Sequence, residues 1–114
     1  MTISEAIMQA KRLRETTETE ERLADLLTRL DGQISEFMGV DPPRYSYPSE
    51  DKLLADDEYA ELYVYYLCAQ IDFYNQETEL YANDSAAFEN EMNAFRAFYR
   101  RKNRPCKRKN WRVW

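Results

Sequence analysis

Glycine is almost missing from this chain: of its 114 residues, only Gly32 and Gly39 are glycines. Sheets linked by tight turns usually need several glycines, whereas long helices need almost none, because glycine weakens a helix interior. Apolar residues make up 44% of the chain, close to the globular average, so a folded core is expected. Since 114 residues leave little room for a second domain, the sequence predicts one all-α domain.

Apolar side chains recur at helical spacing in four segments of the chain. Helices are predicted at about residues 3–14, 18–38, 57–75 and 77–102. Thr2 followed by Glu5 has the spacing of a capping box at the first helix, and Thr17 followed by Glu20 repeats it before the second. Gly39 is placed to end the second helix.

The third predicted helix is apolar almost all round, so it is expected to be central, or to lie between its own core and a partner. Asp56 or Asp57 is the predicted cap of this helix. A tight turn at Asn75 and Gln76, with Asn tolerating the left-handed conformation, should lead into the fourth helix. The expected architecture is a four-helix protomer centred on a long antiparallel hairpin of helices three and four. Residues 83–85 are the weak point of the fourth helix, where a break is expected.

Residues 40–55 contain three of the four prolines and are predicted to form a loop. Tyr45 and Tyr47 are expected to dock this loop either on the body of the protein or on a partner. Leu53 and Leu54 should attach its end to the core.

Charge divides the chain into an acidic body and a basic end. Residues 1–99 contain all 21 acidic and eight of the 16 basic residues, and residues 100–114 contain the other eight basic residues and no acid. We therefore divide the chain into a helical domain, 1–102, and a basic arm, 103–114, that carries Trp111 and Trp114. The arm is a solubilising end, a nucleic-acid contact, or a ligand of the acidic body of a neighbouring copy. The last interpretation uses both charges and both tryptophans, and we prefer it.

Nine tyrosines are the second unusual feature of the sequence. Tyr59, Tyr63 and Tyr66 are predicted to pack in the core, whereas Tyr65, Tyr74 and the loop tyrosines are candidates for a protein interface, where such side chains are enriched. The candidate interaction residues are therefore Arg100, Arg101, Lys102, Arg104, Lys107, Arg108, Lys109, Trp111, Arg112, Trp114, Tyr45, Tyr47, Tyr65 and Tyr74.

The sequence offers no catalytic, cofactor-binding or metal-binding set. Histidine is absent, and two distant cysteines do not make a zinc site. Two glycines exclude a glycine-rich phosphate loop. The acids at 56–58 are better explained by a helix start than by acid–base catalysis. A non-enzymatic protein is predicted, without a membrane span or a signal peptide, and made in the cytoplasm.

Three stretches of the sequence resemble small head–tail connector (adaptor) proteins of tailed bacteriophages and prophages of Gram-positive hosts. They are MTISEAI at 1–7, LDGQI at 30–34 and KLLADDEYAELYVYYLCAQIDFYNQETELYANDSAAFENEMNAFRAFYRR at 52–101. The resemblance covers most of the chain but not residues 40–51 or the segment after Pro105. It is a pattern of helices and aromatic residues and not a catalytic signature.

The resemblance implies a virion protein at the head–tail junction, made in the cytoplasm of the host bacterium. Such a protomer assembles beneath the phage portal protein as a ring of copies of itself, expected to be a dodecamer. The ring extends the channel for DNA and receives the next connector or tail-completion protein. The resemblance implies no catalytic residues.

A small helical DNA-binding protein, such as a terminase small subunit or a prophage regulator, is the alternative function. It would also carry a basic segment, but the second helix lacks a basic recognition face and the body is acidic. A tail-assembly chaperone is a third possibility, and it would not form a stable ring.

Overall fold

The computed structural model describes residues 1–45, 47 and 50–103. Within that part of the chain the fold consists of four α-helices and no strand, as the composition predicts. The helices are α1 (Ile3–Leu13), α2 (Glu20–Met38), α3 (Glu61–Tyr74) and α4 (Thr78–Lys102). A single turn of 3₁₀ helix at Asp57–Tyr59 precedes α3.

The ends of α1 and α2 follow local side-chain chemistry. The capping box of α1 is confirmed: the hydroxyl of Thr2 accepts from the backbone N–H of Glu5, whose carboxylate accepts from the N–H of Thr2. The predicted box at Thr17 is wrong, because Thr19 caps α2 by accepting from the N–H of Arg22. Gly39 ends α2 as predicted, with the left-handed φ of 76° that only glycine adopts without strain.

The start of α3 differs from the prediction. Neither Asp56 nor Asp57 caps a helix with its side chain, and the α-helix begins only at Glu61. Both carboxylates have other partners: Asp57 accepts from the α-amino group of Met1, and Asp56 lies 3.7 Å from Nζ of Lys102. The acids at this helix start therefore connect the two ends of the described chain.

Helices α3 and α4 pack closely against each other in opposite directions. Three aromatic pairs define the register, with ring centroids 5.4 to 6.2 Å apart: Phe73–Tyr81, Tyr66–Phe88 and Tyr59–Phe95. Each step of seven residues along α3 and the 3₁₀ turn before it is matched by seven residues in the reverse direction along α4. The two helices thus form an antiparallel hairpin.

The turn of this hairpin and the course of α4 correct two predictions. Gln76, and not Asn75, has the positive φ, 61°. Asn75 remains right-handed, and its side-chain amide donates to the carbonyl of Glu15. Helix α4 runs unbroken through residues 83–85, because Asp84 is turned inward to an ion pair with Arg14 and does not compete for the backbone.

The core lies where α3 meets the other three helices. Tyr63, Leu67 and Ile71 of α3 are fully buried, as predicted for a central helix. The other helices contribute most of the apolar faces predicted from their periodicity, but Leu13 at the end of α1 and Tyr81 at the start of α4 are exposed. Met92 and Phe95 are the buried apolar residues of α4. Leu53 is also buried and attaches the end of the loop to this core, as predicted, together with the half-buried Leu54.

Candidate interaction surface

The turn between α3 and α4 carries a cluster of exposed aromatic and aliphatic side chains. We call it the aromatic tip; it consists of Phe73, Tyr74, Leu80 and Tyr81. Their exposed fractions are 62%, 39%, 37% and 39%, whereas buried side chains dominate the rest of α3. The ring centroid of Phe73 lies 5.9 Å from that of Tyr74 and 5.8 Å from that of Tyr81. Contiguous exposed rings, here Phe73, Tyr74 and Tyr81, are typical of binding surfaces.

A cleft of about 330 Å³ opens in the aromatic tip. Its lining consists of Asp72, Phe73, Gln76, Glu77, Thr78 and Tyr81. Ring faces and apolar edges form most of the wall, and carboxyl groups stand at its border. Such a cleft suits a flat apolar group with a nearby cation.

An ion network lies directly behind this surface. Arg14, at the end of α1, donates from Nε to Oδ1 of Asp72 over 3.0 Å and from a terminal nitrogen to Oδ2 of Asp84 over 2.8 Å. Burial raises the pKa of Asp72 to about 6, and the negative charge of nearby Asp84 adds to the increase. Oδ2 of Asp72 accepts no hydrogen bond from any described residue. The network fixes α1, α3 and α4 together at the tip.

Tyr74 is the only sequence-predicted interaction residue at the aromatic tip among those that the structure describes. Its hydroxyl accepts from the guanidinium of Arg22 over 2.7 Å, and the same guanidinium lies 5.7 Å from the ring centroid. This contact orders one edge of the tip and leaves the rings of Phe73 and Tyr81 open.

The loop tyrosines are folded onto the protein itself. The hydroxyl of Tyr45 donates to Oδ2 of Asp31, which is fully buried in α2. Tyr63 donates to Oδ1 of the same carboxylate over 2.6 Å, and the backbone N–H of Leu54 donates to Oδ2 over 3.0 Å. Burial raises the pKa of Asp31, and these three donors oppose the increase. Tyr47 is half-buried against the core, so both loop tyrosines dock on the body, which is one of the two predicted roles.

The three basic candidate residues that the structure describes, Arg100, Arg101 and Lys102, lie at the opposite end of α4 from the tip. Arg100 stands over the ring of Phe37 at 5.4 Å, and Lys102 over the ring of Phe98 at 5.6 Å. Arg101 is exposed beside them. Tyr65 is on neither end: it sits half-exposed on α3, with its hydroxyl 3.5 Å from Glu61.

The structure therefore does not gather the predicted interaction residues into one place. The remaining predicted residues lie outside the described part of the chain: Arg104, Lys107, Arg108, Lys109, Trp111, Arg112 and Trp114.

Sequence reasoning missed Phe73, Tyr81 and the buried acids. Phe73 and Tyr81 lie on apolar faces that the periodicity assigns to the core, but they fall at helix ends where no third element covers them. Asp31 had a readable signal, because it stands among Leu27, Leu30 and Ile34 on the apolar stripe of α2.

Other kinds of site find no support in the described residues. No described helix is long and apolar enough to cross a bilayer. No group of three or more acidic or cysteine side chains is arranged to hold a metal ion in the part of the chain that the structure covers.

Comparison with protein-family models, with curated proteins and with solved structures gave no match to this chain.

Proposed function

We propose that this chain is a structural virion protein, a head–tail connector that assembles as a ring on the phage portal and links the DNA-filled head to the tail. In this proposal the helical domain forms the ring wall, and the basic arm reaches a neighbouring subunit or the portal. The protein works by binding and has no catalytic step. The proposed location is the head–tail junction of the virion.

The observation that carries the proposal is the polarity of α4. Its first turn belongs to the exposed aromatic tip, and its last turn carries Arg100, Arg101 and Lys102 and leads into the basic arm. A molecule with two different binding surfaces at opposite ends makes head-to-tail contacts, and such contacts close into a ring when the rotation between copies allows it. A twofold dimer needs one self-complementary surface instead.

The charge distribution supports protein partners over DNA for the helical body. Glu77 and Glu79 stand at the tip without an ion pair to any described residue, so this end repels phosphates. The basic end of α4 favours the alternative, a small helical DNA-binding protein. We retain DNA passing through the channel as a further contact of the arm.

The test is co-sedimentation with the portal protein encoded in the same phage or prophage region, followed by negative-stain imaging of the complex. A ring of this protein seated on the portal would support the connector, and the number of subunits would be read from the images. No binding to the portal, together with retention on duplex DNA that weakens steeply with salt, would replace the connector with the DNA-binding alternative.

A further inference from the structure

The aromatic tip is a surface without a partner in the described part of the chain. Phe73 is 62% exposed, more than the six other exposed large apolar side chains among the described residues, and four of those seven belong to the tip. Aromatic residues exposed on a rigid helix hairpin are typical anchors or pockets of protein interfaces. The cleft of about 330 Å³ beside Phe73 and Tyr81 gives this surface a concave site.

The charge at the tip identifies a basic partner. Glu77 borders the cleft and Glu79 lies in the first turn of α4, and neither carboxylate is paired with a described cation. Of the cations beside the tip, Arg14 is already paired with Asp72 and Asp84, and Arg22 is paired with Glu18. A ligand with an apolar ring and flanking cations would match both the rings and the free carboxylates.

The chain itself contains a segment of this chemistry. Residues 104–114, RPCKRKNWRVW, carry five basic residues, no acid and two tryptophans. Trp111 and Trp114 each have a basic residue within three positions. Tryptophan and arginine are the residue types most enriched among interface hot spots.

The length of this segment disfavours its own tip as the site. Asn103 follows the last turn of α4, while Tyr81 lies in the first turn, and 22 residues of helix at 1.5 Å each separate them by about 33 Å. Eight extended residues from Asn103 to Trp111 span at most about 26–29 Å. Trp111 falls short, and Trp114 arrives only if the whole segment is straight.

From these steps we infer that the aromatic tip is the docking site for the Trp-containing segment 104–114 of a second copy of the chain. The indole rings enter the cleft beside Phe73 and Tyr81, and the flanking arginine and lysine side chains pair with Glu77 and Glu79. This contact is head-to-tail, since tip and arm lie at opposite ends of α4. The inference rests on the proposed assembly into a ring and names the surface that joins its neighbours.

Photo-crosslinking tests the contact in the full-length chain. Phe73 is replaced by p-benzoyl-phenylalanine, which its exposure permits, and ¹⁴N and ¹⁵N chains are mixed at high concentration, alone and with the portal. Digestion at acidic residues keeps the arm in one peptide, because it contains no acid. We expect a crosslink between position 73 and residues 104–114 that joins peptides of different label. Met8, exposed by 49% on α1, is the control position and should give no such product.

Association of matched variants supplies the second readout. The pair Phe73→Ser and Tyr81→Ser, and the pair Trp111→Ser and Trp114→Ser, should each weaken self-association by about tenfold or more, and their combination should weaken it little further. Met8→Ser should leave association unchanged. The inference would be overturned if the losses of association from the two pairs were additive. It would also be overturned if position 73 crosslinked only within one chain, crosslinked to another segment, or gave no crosslink in either mixture.

The outcomes separate this inference from the proposed function. A ring on the portal without the tip–arm crosslink would refute the docking site and leave the connector standing. A tip–arm crosslink in a protein that does not bind the portal would refute the connector and leave the docking site standing.

Discussion

Arg14 and Asp72 are joined by a hydrogen bond of 3.0 Å from Nε to Oδ1, although 58 positions of sequence separate them. Asp72 is fully buried, and Arg14 also holds Asp84 of α4. One guanidinium thus connects the end of α1 with both helices of the hairpin, immediately behind the aromatic tip. The geometry of the tip depends on this network as well as on apolar packing.

Removing the shared cation should therefore destabilise the fold. In Arg14→Ala, two largely buried carboxylates lose their common partner, and we expect the free energy of unfolding to fall by about 2–4 kcal/mol. Urea denaturation measures the change. Lys11→Ala is the matched control, because it removes an exposed ion pair with Glu20 and should cost less than about 1 kcal/mol. Equal losses in the two variants would show that the buried network adds nothing.

The pKa of Asp72 predicts how stability depends on pH. The folded state holds this proton with a pKa of about 6, above the usual 3.8, so between these values the folded chain binds more protons than the unfolded chain. The protonated Asp72 therefore contributes fully to the free energy of unfolding below about pH 4. This contribution, up to about 3 kcal/mol, is lost as the pH rises through 6.

Asp72→Asn tests this prediction because asparagine imitates the protonated carboxyl: its amide oxygen still accepts from Arg14, and it places no negative charge beside Asp84. We expect the variant to match the wild-type stability near pH 4 and to exceed it near pH 7. Burial also raises the pKa of Asp31, so the difference between variant and wild type, and not the wild-type curve alone, isolates Asp72. A difference that does not change with pH would refute the assignment.

The loop that follows α2 depends on Asp31 and its three donors. Tyr63 is the central member, because its hydroxyl donates to Asp31 and accepts from the N–H of Ala55 over 2.8 Å. Tyr63→Phe leaves a buried carboxylate oxygen and a backbone N–H without this partner, which should cost about 2–3 kcal/mol.

Faster hydrogen exchange at the amides of Leu54 and Ala55 would locate the damage in the loop. Tyr65→Phe serves as the control: its hydroxyl makes only a 3.5 Å contact with Glu61, and its loss should change stability by less than about 0.5 kcal/mol. Unchanged exchange in Tyr63→Phe would mean that apolar packing alone holds the loop.

The helices could be predicted from the sequence because their signals are local. Periodicity located four apolar stripes, and the capping box at Thr2 and the glycine at position 39 fixed two helix ends. The cap of α2 was misplaced by two residues, and the larger errors arose where a distant residue decides the outcome. Asp57 binds the α-amino group of Met1 instead of capping α3, and Asp84 turns inward because Arg14 is there.

The candidate surface was harder to predict than the fold. A stripe of rings at helical spacing indicates burial only where another element covers it, and coverage is a tertiary property. Phe73 and Tyr66 lie on the same face of α3, yet Tyr66 packs against Phe88 at 5.4 Å and the core, while Phe73 extends beyond the covered region. Asp72 and Asp84 share a partner only because α1 brings Arg14 to the hairpin, and Asp31 gains its donors only because α3 and the loop pack on α2.

The two glycines give a paired test of backbone conformation. Gly32 is inside α2 with open space around the position of an added Cβ, so Gly32→Ala should stabilise the fold by about 0.5–1 kcal/mol. Gly39 has a φ of 76°, which alanine adopts only under strain, and Gly39→Ala should destabilise the fold by about 1 kcal/mol. Thermal or urea unfolding measures the change in stability of each variant, and the two changes should have opposite signs. A stabilising Gly39→Ala would contradict the left-handed end of α2, and a destabilising Gly32→Ala would contradict the open space at position 32.

Truncation after Asn103 separates folding from assembly. Every residue of the described core lies before this point, and Asn103 itself keeps its side-chain hydrogen bond to the carbonyl of Tyr99. We therefore expect the free energy of unfolding of residues 1–103 to lie within about 0.5 kcal/mol of that of the full chain.

Association of copies and binding to the portal should fall, because the segment removed carries both tryptophans and five basic residues. Sedimentation velocity at low and high salt measures the loss of association. The double variant Trp111→Ser with Trp114→Ser keeps the charges of the arm, so its effect gives the share of that loss that comes from the tryptophan rings. Assembly by the truncated chain at wild-type strength would exclude the arm from the contact between subunits, while a large loss of stability would mean that the arm belongs to the fold.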